Sequence, residues 1–277
     1  MKVEGIWRYP VKSMAGEALS SAIVGLRGIP GDRGWAVFDE ERGGVTGAKR
    51  IPKLRAGKPR YLREPIDGEP SPPVEIALPN GVTVRSDDAS AGLSAWLGKP
   101  VSLVGLDGSD VAAPRLTLHE ESAEFVRVAM GLVEGEPEAD LSALPPERLQ
   151  ALRRGNFFDA LPIHLITRKT LRTLERIAPD VVWDARRFRM NILVEGDIAG
   201  DFPELSWVGR KVRVGGSVLD IDTECPRCSM ATQAVDEVPH DPRVMRTLVR
   251  EIHHSAGVYA AIHTPGTFRV GDGVEIL

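Results

Sequence analysis

The stretch KVRVGGSVLDIDTECPRC (residues 211–228) decides the fold class and points to the chemistry. Apolar residues recur at period two on either side of Gly215-Gly216-Ser217, which predicts two strands joined by a tight hairpin turn. The second strand leads into Cys225-Pro226-Arg227-Cys228, which holds both cysteines of the 277-residue chain. The pattern therefore predicts a β-sheet that carries a chemically reactive loop at one end.

Strand patterns dominate the rest of the chain, and helices interrupt them irregularly. Strands are predicted at residues 2–8, 18–25, 35–38, 74–78, 82–85, 163–166, 190–194, 258–262 and 274–277. Helices are predicted at residues 86–97 with Ser86 as the cap, 119–131, 145–154, 168–177 with Thr167 as the cap, and 242–253. No regular βαβ alternation, glycine-rich phosphate loop or repeat is present. We expect a β-rich α+β protein whose C-terminal half is a barrel-like sheet with helical excursions.

Composition narrows the classes of partner. The net charge is −4 and aromatic residues make up 5% of the chain, so neither a general nucleic-acid surface nor a base-stacking platform is expected. The first residues run directly into strand pattern without a secretory leader. No apolar run approaches the roughly 18 residues of a membrane helix. We expect a soluble, cytoplasmic protein that binds neither nucleic acid nor membrane.

The paired cysteines admit several interpretations. They could be unrelated loop residues, or a thioredoxin-like redox pair, although that motif belongs at a helix start in a βαβ setting. A zinc site would need further ligands, which four histidines could supply: His240, His253, His254 and His263. Alternatively, Cys228 alone is a soft thiolate bound to a soft metal whose other ligands come from a cofactor. Its neighbour Arg227 would favour the thiolate form.

Two further groups of polar residues suit an anionic ligand. Lys12 and Ser13 lie in a predicted turn between strands, and Arg33 lies just before the next strand, so an ammonium, a hydroxyl and a guanidinium could converge on phosphate. Arg189 and Asn191 share one face of a predicted strand and could bind a phosphate and a heterocycle edge. Solvated turns and surface ion pairs explain the same residues equally simply.

Seven segments resemble one family, in the expected order. Three look like the β-barrel domain that precedes MOSC domains: YPVKSMAGE (9–17), GIPGDRGWAVFD (28–39) and VTGAKRIPKL (45–54). Four look like the MOSC domain itself: RFRMNILVEG (187–196), DFPELSWVGRKVRVG (201–215), CPRCSMATQAVD (225–236) and HTPGTFRVGDGVEIL (263–277). The resemblance implies an N-terminal β-barrel-like domain at residues 1–98 and a C-terminal MOSC β-barrel domain at residues 99–277.

The resemblance also implies a ligand and a reaction. In the family the second cysteine ligates molybdenum, which falls on Cys228, while Cys225 is a neighbour without that role. The implied contacts to the molybdenum cofactor (Mo-molybdopterin) are Lys12, Ser13, Arg33, Arg189, Asn191, Pro226, Arg227 and Tyr259. The pattern is most similar to the amidoxime-reducing and N-hydroxylated-base-reducing members. They imply a molybdenum-dependent oxidoreductase that reduces a small N-hydroxylated substrate with electrons from a separate flavin, haem or iron–sulfur protein.

Some residues depart from the family pattern. Ala160-Leu161 stands before Pro162 where the family often has two small hydroxyl residues, and Met190 replaces a common proline. No ferredoxin-like segment follows Leu277, so electrons are expected from another protein. Two alternatives remain open: a carrier that holds sulfur as a Cys228 persulfide or passes on the cofactor without redox turnover, and a cofactor-free binding protein.

Overall fold

The computed structural model describes residues 1–108, 116, 121–140, 142 and 156–277. Strands form most of the regular structure in these ranges: β1 Lys2–Arg8, β2 Glu17–Leu19, β3 Ser21–Val24, β4 Trp35–Asp39, β5 Gly44–Val45, β6 Lys58–Tyr61, β7 Val74–Ala77, β8 Thr83–Arg85, β9 Val101–Gly105, β10 Ile163–Thr167, β11 Ile192–Glu195, β12 Lys211–Val214, β13 Ser217–Pro226, β14 Ser255–Thr264, β15 Gly266–Arg269 and β16 Val274–Ile276. The α-helices are α1 Ala89–Leu97, α2 Ala123–Met130, α3 Arg168–Ile177 and α4 Arg243–Ile252. Short 3-10 helices lie at Pro52–Ala56, Ala185–Phe188, Pro203–Trp207 and Ser229–Thr232.

One eight-stranded sheet organises the molecule, in the order β16-β12-β13-β14-β10-β11-β1-β2. The strand β1 lies beside β11, with Lys2 opposite Glu195 and Ile6 opposite Ile192. The strand β3 pairs with β15 in a separate two-stranded sheet. Thus the first strands of the chain complete sheets whose other members come from its second half.

The helices of the C-terminal half cover one face of this sheet. Thr167 accepts a hydrogen bond from the Thr170 amide and caps α3, as predicted, while α4 ends at His253 in a left-handed conformation. Leu171 of α3 and Leu248 of α4 are fully buried in one apolar cluster. None of the described helices combines the length and apolar character needed to cross a bilayer.

Two three-stranded sheets make the rest of the N-terminal half: β5-β4-β9 and β6-β7-β8. The predicted hairpin at Asn80-Gly81 is confirmed, and Gly81 has φ +83°. The predicted cap of α1 is wrong, because the helix begins after Asp88 without a side-chain cap bond. The Ser86 hydroxyl instead accepts a hydrogen bond from the Val74 amide, so it ties β8 to β7.

The β-rich α+β class is confirmed, and in the described part of the chain no sheet closes into a complete barrel. The strand predicted from Met190 begins only at Ile192. Arg189 is therefore not on a strand but ends the 3-10 helix Ala185–Phe188 in a left-handed conformation. The helix predicted at residues 145–154 lies outside the described residues, and the one predicted at 119–131 is observed as α2.

Candidate functional site

A cavity of about 90 Å³ opens where the ends of several central strands meet. Its wall contains all nine residues nominated from the sequence: Lys12, Ser13, Arg33, Arg189, Asn191, Pro226, Arg227, Cys228 and Tyr259. Residues that were not nominated complete the wall: Phe158, Asp159, Ala160, Leu161, His164, Phe188 and Met230. Segments that are far apart in sequence thus converge, which spacing alone could not establish.

Three of the residues that line this cavity have a backbone conformation that residues other than glycine rarely adopt. Ser13, Arg33 and Arg189 have φ of +69°, +51° and +54°. Non-glycine residues in the left-handed region cost of order 1–3 kcal/mol each and concentrate at functional sites. Their occurrence together around one cavity indicates a site whose side-chain directions matter more than local backbone stability.

Lys12 lies at the mouth of the cavity. Its ammonium donates to the Phe157 carbonyl at 2.9 Å and to the Asp159 carboxylate at 2.5 Å. The Lys12 side chain is 13% exposed and that of Asp159 is 61% exposed. An anion that approached Lys12 from solvent would therefore first meet the carboxylate of Asp159, which is already paired with Lys12.

Two guanidinium groups contact the buried ring of Tyr9. The Cζ atoms of Arg33 and Arg189 lie 4.5 and 4.2 Å from the ring centre, which are favourable cation–π distances. The Tyr9 hydroxyl donates to the Met190 carbonyl, and Arg189 donates to the Met14 carbonyl. Burial, reinforced by the like charge of Arg55, holds the pKa of Arg189 well below its usual range.

Asp32 is the carboxylate buried against these cations. It accepts hydrogen bonds from the Tyr9 amide at 2.8 Å and from Asn191 at 2.9 Å, and it pairs with Arg33. Asn191 also donates to the Trp7 carbonyl and accepts from the His164 amide. The side chain of Asn191 is thus committed to the protein framework, and the surface ion pair considered from the sequence is a buried one.

The two cysteines occupy different environments. Cys225 is fully buried at the end of β13, while Cys228 is half-buried and precedes the 3-10 helix Ser229–Thr232. The Arg227 guanidinium, expected beside Cys228, instead donates to the Cys225 sulfur at 2.8 Å and to the Phe188 carbonyl at 2.5 Å. Burial raises the pKa of the Cys225 thiol. Cys228 is therefore the accessible sulfur of the pair.

His164 is a wall residue that the sequence did not nominate. It lies opposite Tyr259 across the β10–β14 pairing, with ring centres 5.8 Å apart. Its Nε2 is 3.2 Å from the Ala256 carbonyl, and a side chain at Gly257 (φ +79°) would come within 2.4 Å of that nitrogen. A histidine between Ile163 and Leu165 resembles any core residue, so sequence carried no signal for this position.

His164 makes stability sensitive to mild acid. Burial, with the charge of Arg227 second, holds its pKa well below 6.5, so the unfolded chain takes up the proton first as pH falls. The stabilisation is present above about pH 6.5 and is lost as pH falls toward the folded-state pKa, at up to about 1.4 kcal/mol per pH unit. Urea unfolding from pH 7 to 5 should show a flatter dependence for His164→Gln than for the wild type. Exposed His263, changed to glutamine, is the control, and equal slopes for wild type and His164→Gln would contradict this assignment.

The polar groups around the cavity fit an anionic, metal-bearing ligand. Among the described residues the Arg227 Nε is buried without a hydrogen-bond partner, and Asp32 is already paired with Arg33. Unmatched buried cations are costly, and a phosphate-bearing cofactor would offset that cost. A zinc site lacks support, because no three histidine, cysteine or acidic side chains gather in the described ranges. One accessible cysteine sulfur suits a soft metal held mainly by a cofactor, so the residues fit a molybdenum cofactor.

A larger groove, of about 850 Å³, lies at the opposite ends of β1 and β11. Lys2 and Arg172 lie beside it, and both pair with Glu195. This groove is open and its wall holds no cysteine or histidine. It therefore has fewer side chains suited to metal ligation or catalysis than the smaller cavity has.

Comparisons with known proteins show the family to which the chain belongs. The family models of the MOSC N-terminal beta barrel domain and the MOSC domain match residues 1–98 and 152–275. Mouse mitochondrial amidoxime-reducing component 1 is 25% identical over 99% of this chain and 82% of its own length. Among solved structures, the YuaD protein of Bacillus subtilis is 12% identical, with TM-score 0.46, over 99% of this chain and 94% of its own. YiiM of Escherichia coli is 16% identical, with TM-score 0.31, over 42% and 54%. The chain belongs to the MOSC family and joins a MOSC N-terminal beta barrel domain to a MOSC domain.

Proposed function

We propose that this protein is a molybdenum-cofactor-dependent oxidoreductase that reduces N-hydroxylated substrates. The observation that carries the proposal is the convergence of one accessible thiol, Cys228, with buried cations from separate segments around a single cavity. A MOSC domain supports a role connected with the molybdenum cofactor. The relative named as an amidoxime-reducing component supports the substrate class.

The side chains divide into three roles. Lys12, Arg33 and Arg189 would hold the phosphate of the cofactor, since guanidinium and ammonium groups bind phosphate through charge-assisted hydrogen bonds. Cys228 would ligate the metal as thiolate. When bound, the cofactor supplies two-electron redox chemistry. Asp32 and Asn191 hold the cations and the adjoining strand ends in place through their internal bonds.

The residues between the cations and the metal ligand control solvent and protons. Ala160 and Leu161 pack with Tyr259 and make one side of the cavity apolar, which limits the entry of water. His164 is buried and, with its pKa lowered by burial, is neutral at physiological pH. A neutral imidazole beside the Tyr259 ring offers one N–H donor and one acceptor nitrogen without adding another positive charge to the site.

The reduction of an amidoxime to an amidine consumes two electrons and two protons and releases water. We propose that the electrons come from a separate flavin, haem or iron–sulfur protein. The two cysteines present are too few for an iron–sulfur cluster held by cysteines. An acidic group at the mouth, Asp159, would favour amidoximes and related bases over anionic substrates.

The test is the molybdenum and pterin content of protein made in cofactor-competent cells, followed by turnover. We expect near-stoichiometric molybdenum and reduction of an aromatic amidoxime to its amidine, with a reduced viologen dye as electron source. The same dye and substrate with cofactor-free protein form the control. Loaded protein that never reduces an amidoxime, or a Cys228 persulfide in place of molybdenum, would contradict the proposal and favour a carrier.

A further inference from the structure

A buried arginine that was not nominated from the sequence and does not line the cavity interacts electrostatically with two of its wall residues, Arg227 and Cys228. Arg55 belongs to the 3-10 helix Pro52–Ala56 and is 6% exposed. Its Nε and Nη2 are shut off from solvent and meet no hydrogen-bond partner among the described residues. Burying an unpaired guanidinium is costly, so a protein rarely keeps one without a ligand or a bound water to accept its hydrogen bonds.

The helix that carries Arg55 is attached to the cationic side of the cavity. The Ala15 amide donates to the carbonyl of Gly57, two residues beyond Arg55. The preceding residue, Met14, accepts a hydrogen bond from Arg189 through its carbonyl. On the other side Leu54 belongs to the apolar cluster against which Met230 packs, and Met230 lines the cavity. Arg55 is thus fixed to elements that form the site.

The charges around Arg55 do not neutralise it. Burial lowers its pKa to about 10; Tyr9 and Cys228 oppose that decrease, and Arg187 and Arg227 add to it. None of these neighbours is a carboxylate. The like charge of Arg55 in turn disfavours the charged form of Arg189. Without a ligand, this region holds more positive charge than its buried carboxylate can balance.

We propose that Arg55 is an anion-binding residue of this site, whose two unpartnered nitrogens donate to a tetrahedral oxyanion. This inference deepens the proposed function, since the phosphate of the molybdenum cofactor is one source of such an oxyanion. Free phosphate or molybdate is the other source. The shared chemistry is a compact group with several oxygen acceptors, which matches the planar fork of a guanidinium.

The first experiment uses cofactor-free protein, with phosphate and then molybdate as probes. Thermal unfolding is followed against oxyanion concentration, with chloride keeping the ionic strength constant. We expect Arg55→Met to weaken the apparent affinity about 10-fold to 100-fold, and Arg55→Lys to retain part of it. Lys53→Met, an exposed change on the same 3-10 helix, should bind as the wild type does. Without ligand, Arg55→Met should unfold at the same or a higher temperature than the wild type, because the unpaired charge is gone.

A second arm separates the two sources. Wild type, Arg55→Met and Lys53→Met are made in cofactor-competent cells, and pterin and molybdenum are measured per chain. A selective cofactor loss in Arg55→Met assigns the oxyanion to the cofactor. Lost oxyanion affinity with unchanged cofactor content assigns it to a free anion, and lost affinity with no cofactor in any variant keeps this proposal while the proposed function fails. The proposal is overturned if the wild type shows no oxyanion response, or if Arg55→Met binds normally; water would then satisfy these nitrogens.

Discussion

Replacing Cys228 with serine is expected to remove molybdenum from the protein while leaving the fold intact. The half-buried Cys228 is the accessible cysteine sulfur at the cavity, and a serine hydroxyl stays protonated and is a hard ligand. We expect molybdenum retention through dialysis to fall by roughly 100-fold or more, a larger loss than the 10- to 100-fold typical of residues that only support a ligand. Elemental analysis and the circular dichroism spectrum of the same samples give the measurement.

Cys225→Ser is the matched control for this experiment. Cys225 lies three positions earlier, is fully buried and contacts Arg227 through its sulfur. A serine hydroxyl can accept the same guanidinium hydrogen bond, so we expect most of the metal to remain. Equal metal content in wild type and Cys228→Ser would sink the assignment of the ligand, and loss in Cys225→Ser alone would transfer it to the buried sulfur.

Asp32→Ala is expected to have the largest effect on folding stability. The substitution leaves the Tyr9 amide and one Asn191 N–H without their acceptor. It also leaves the Arg33 guanidinium without its carboxylate partner, beside Arg189. Breaking a buried ion pair by removing one partner typically costs about 3–5 kcal/mol. Urea unfolding should show a loss of that size in the free energy of unfolding.

Two further variants make the Asp32 result interpretable. Asp32→Asn keeps an oxygen that can accept from the Tyr9 amide but removes the charge, so its loss should be intermediate. Asp87→Ala removes an exposed carboxylate 3.7 Å from Arg85 and should change stability by no more than about 1 kcal/mol. If Asp32→Ala resembled Asp87→Ala, the buried pairing would not carry the stability assigned to it.

The features that sequence predicted well are those decided by neighbouring residues. The hairpin at Asn80-Gly81 and the Thr167 cap of α3 each depend on fewer than about six consecutive residues, and both are observed. The α1 cap was wrong for a non-local reason, because Ser86 bonds to the Val74 amide of an adjacent strand. Local pattern cannot show that a better partner exists elsewhere.

The candidate site shows the same division. Resemblance to the family nominated the wall residues, and the fold brings them together, but their separate roles remain predictions. Period two predicted that Arg189 and Asn191 share one strand face, but the strand begins only at Ile192. Arg189 itself is left-handed and contacts the Tyr9 ring. The burial of Asp32 and Arg55 depends on segments more than a hundred residues away, such as the one holding Asn191. No window of sequence carries that information.

The pairing of β1 with β11 and of β3 with β15 joins segments that the ribosome makes at very different times. Lys2 pairs with Glu195 and Ser21 pairs with Arg269. At a translation rate of about 5–20 residues per second, the ribosome delivers the partner of β1 roughly 10 to 40 s after β1 itself emerges. During that interval the edge of β1 that later pairs with β11 has unpaired backbone groups, the kind of edge that chaperones shield. Each of these strands can therefore complete its pairing only after a partner far along the chain has been made, β1 after β11 and β3 after β15.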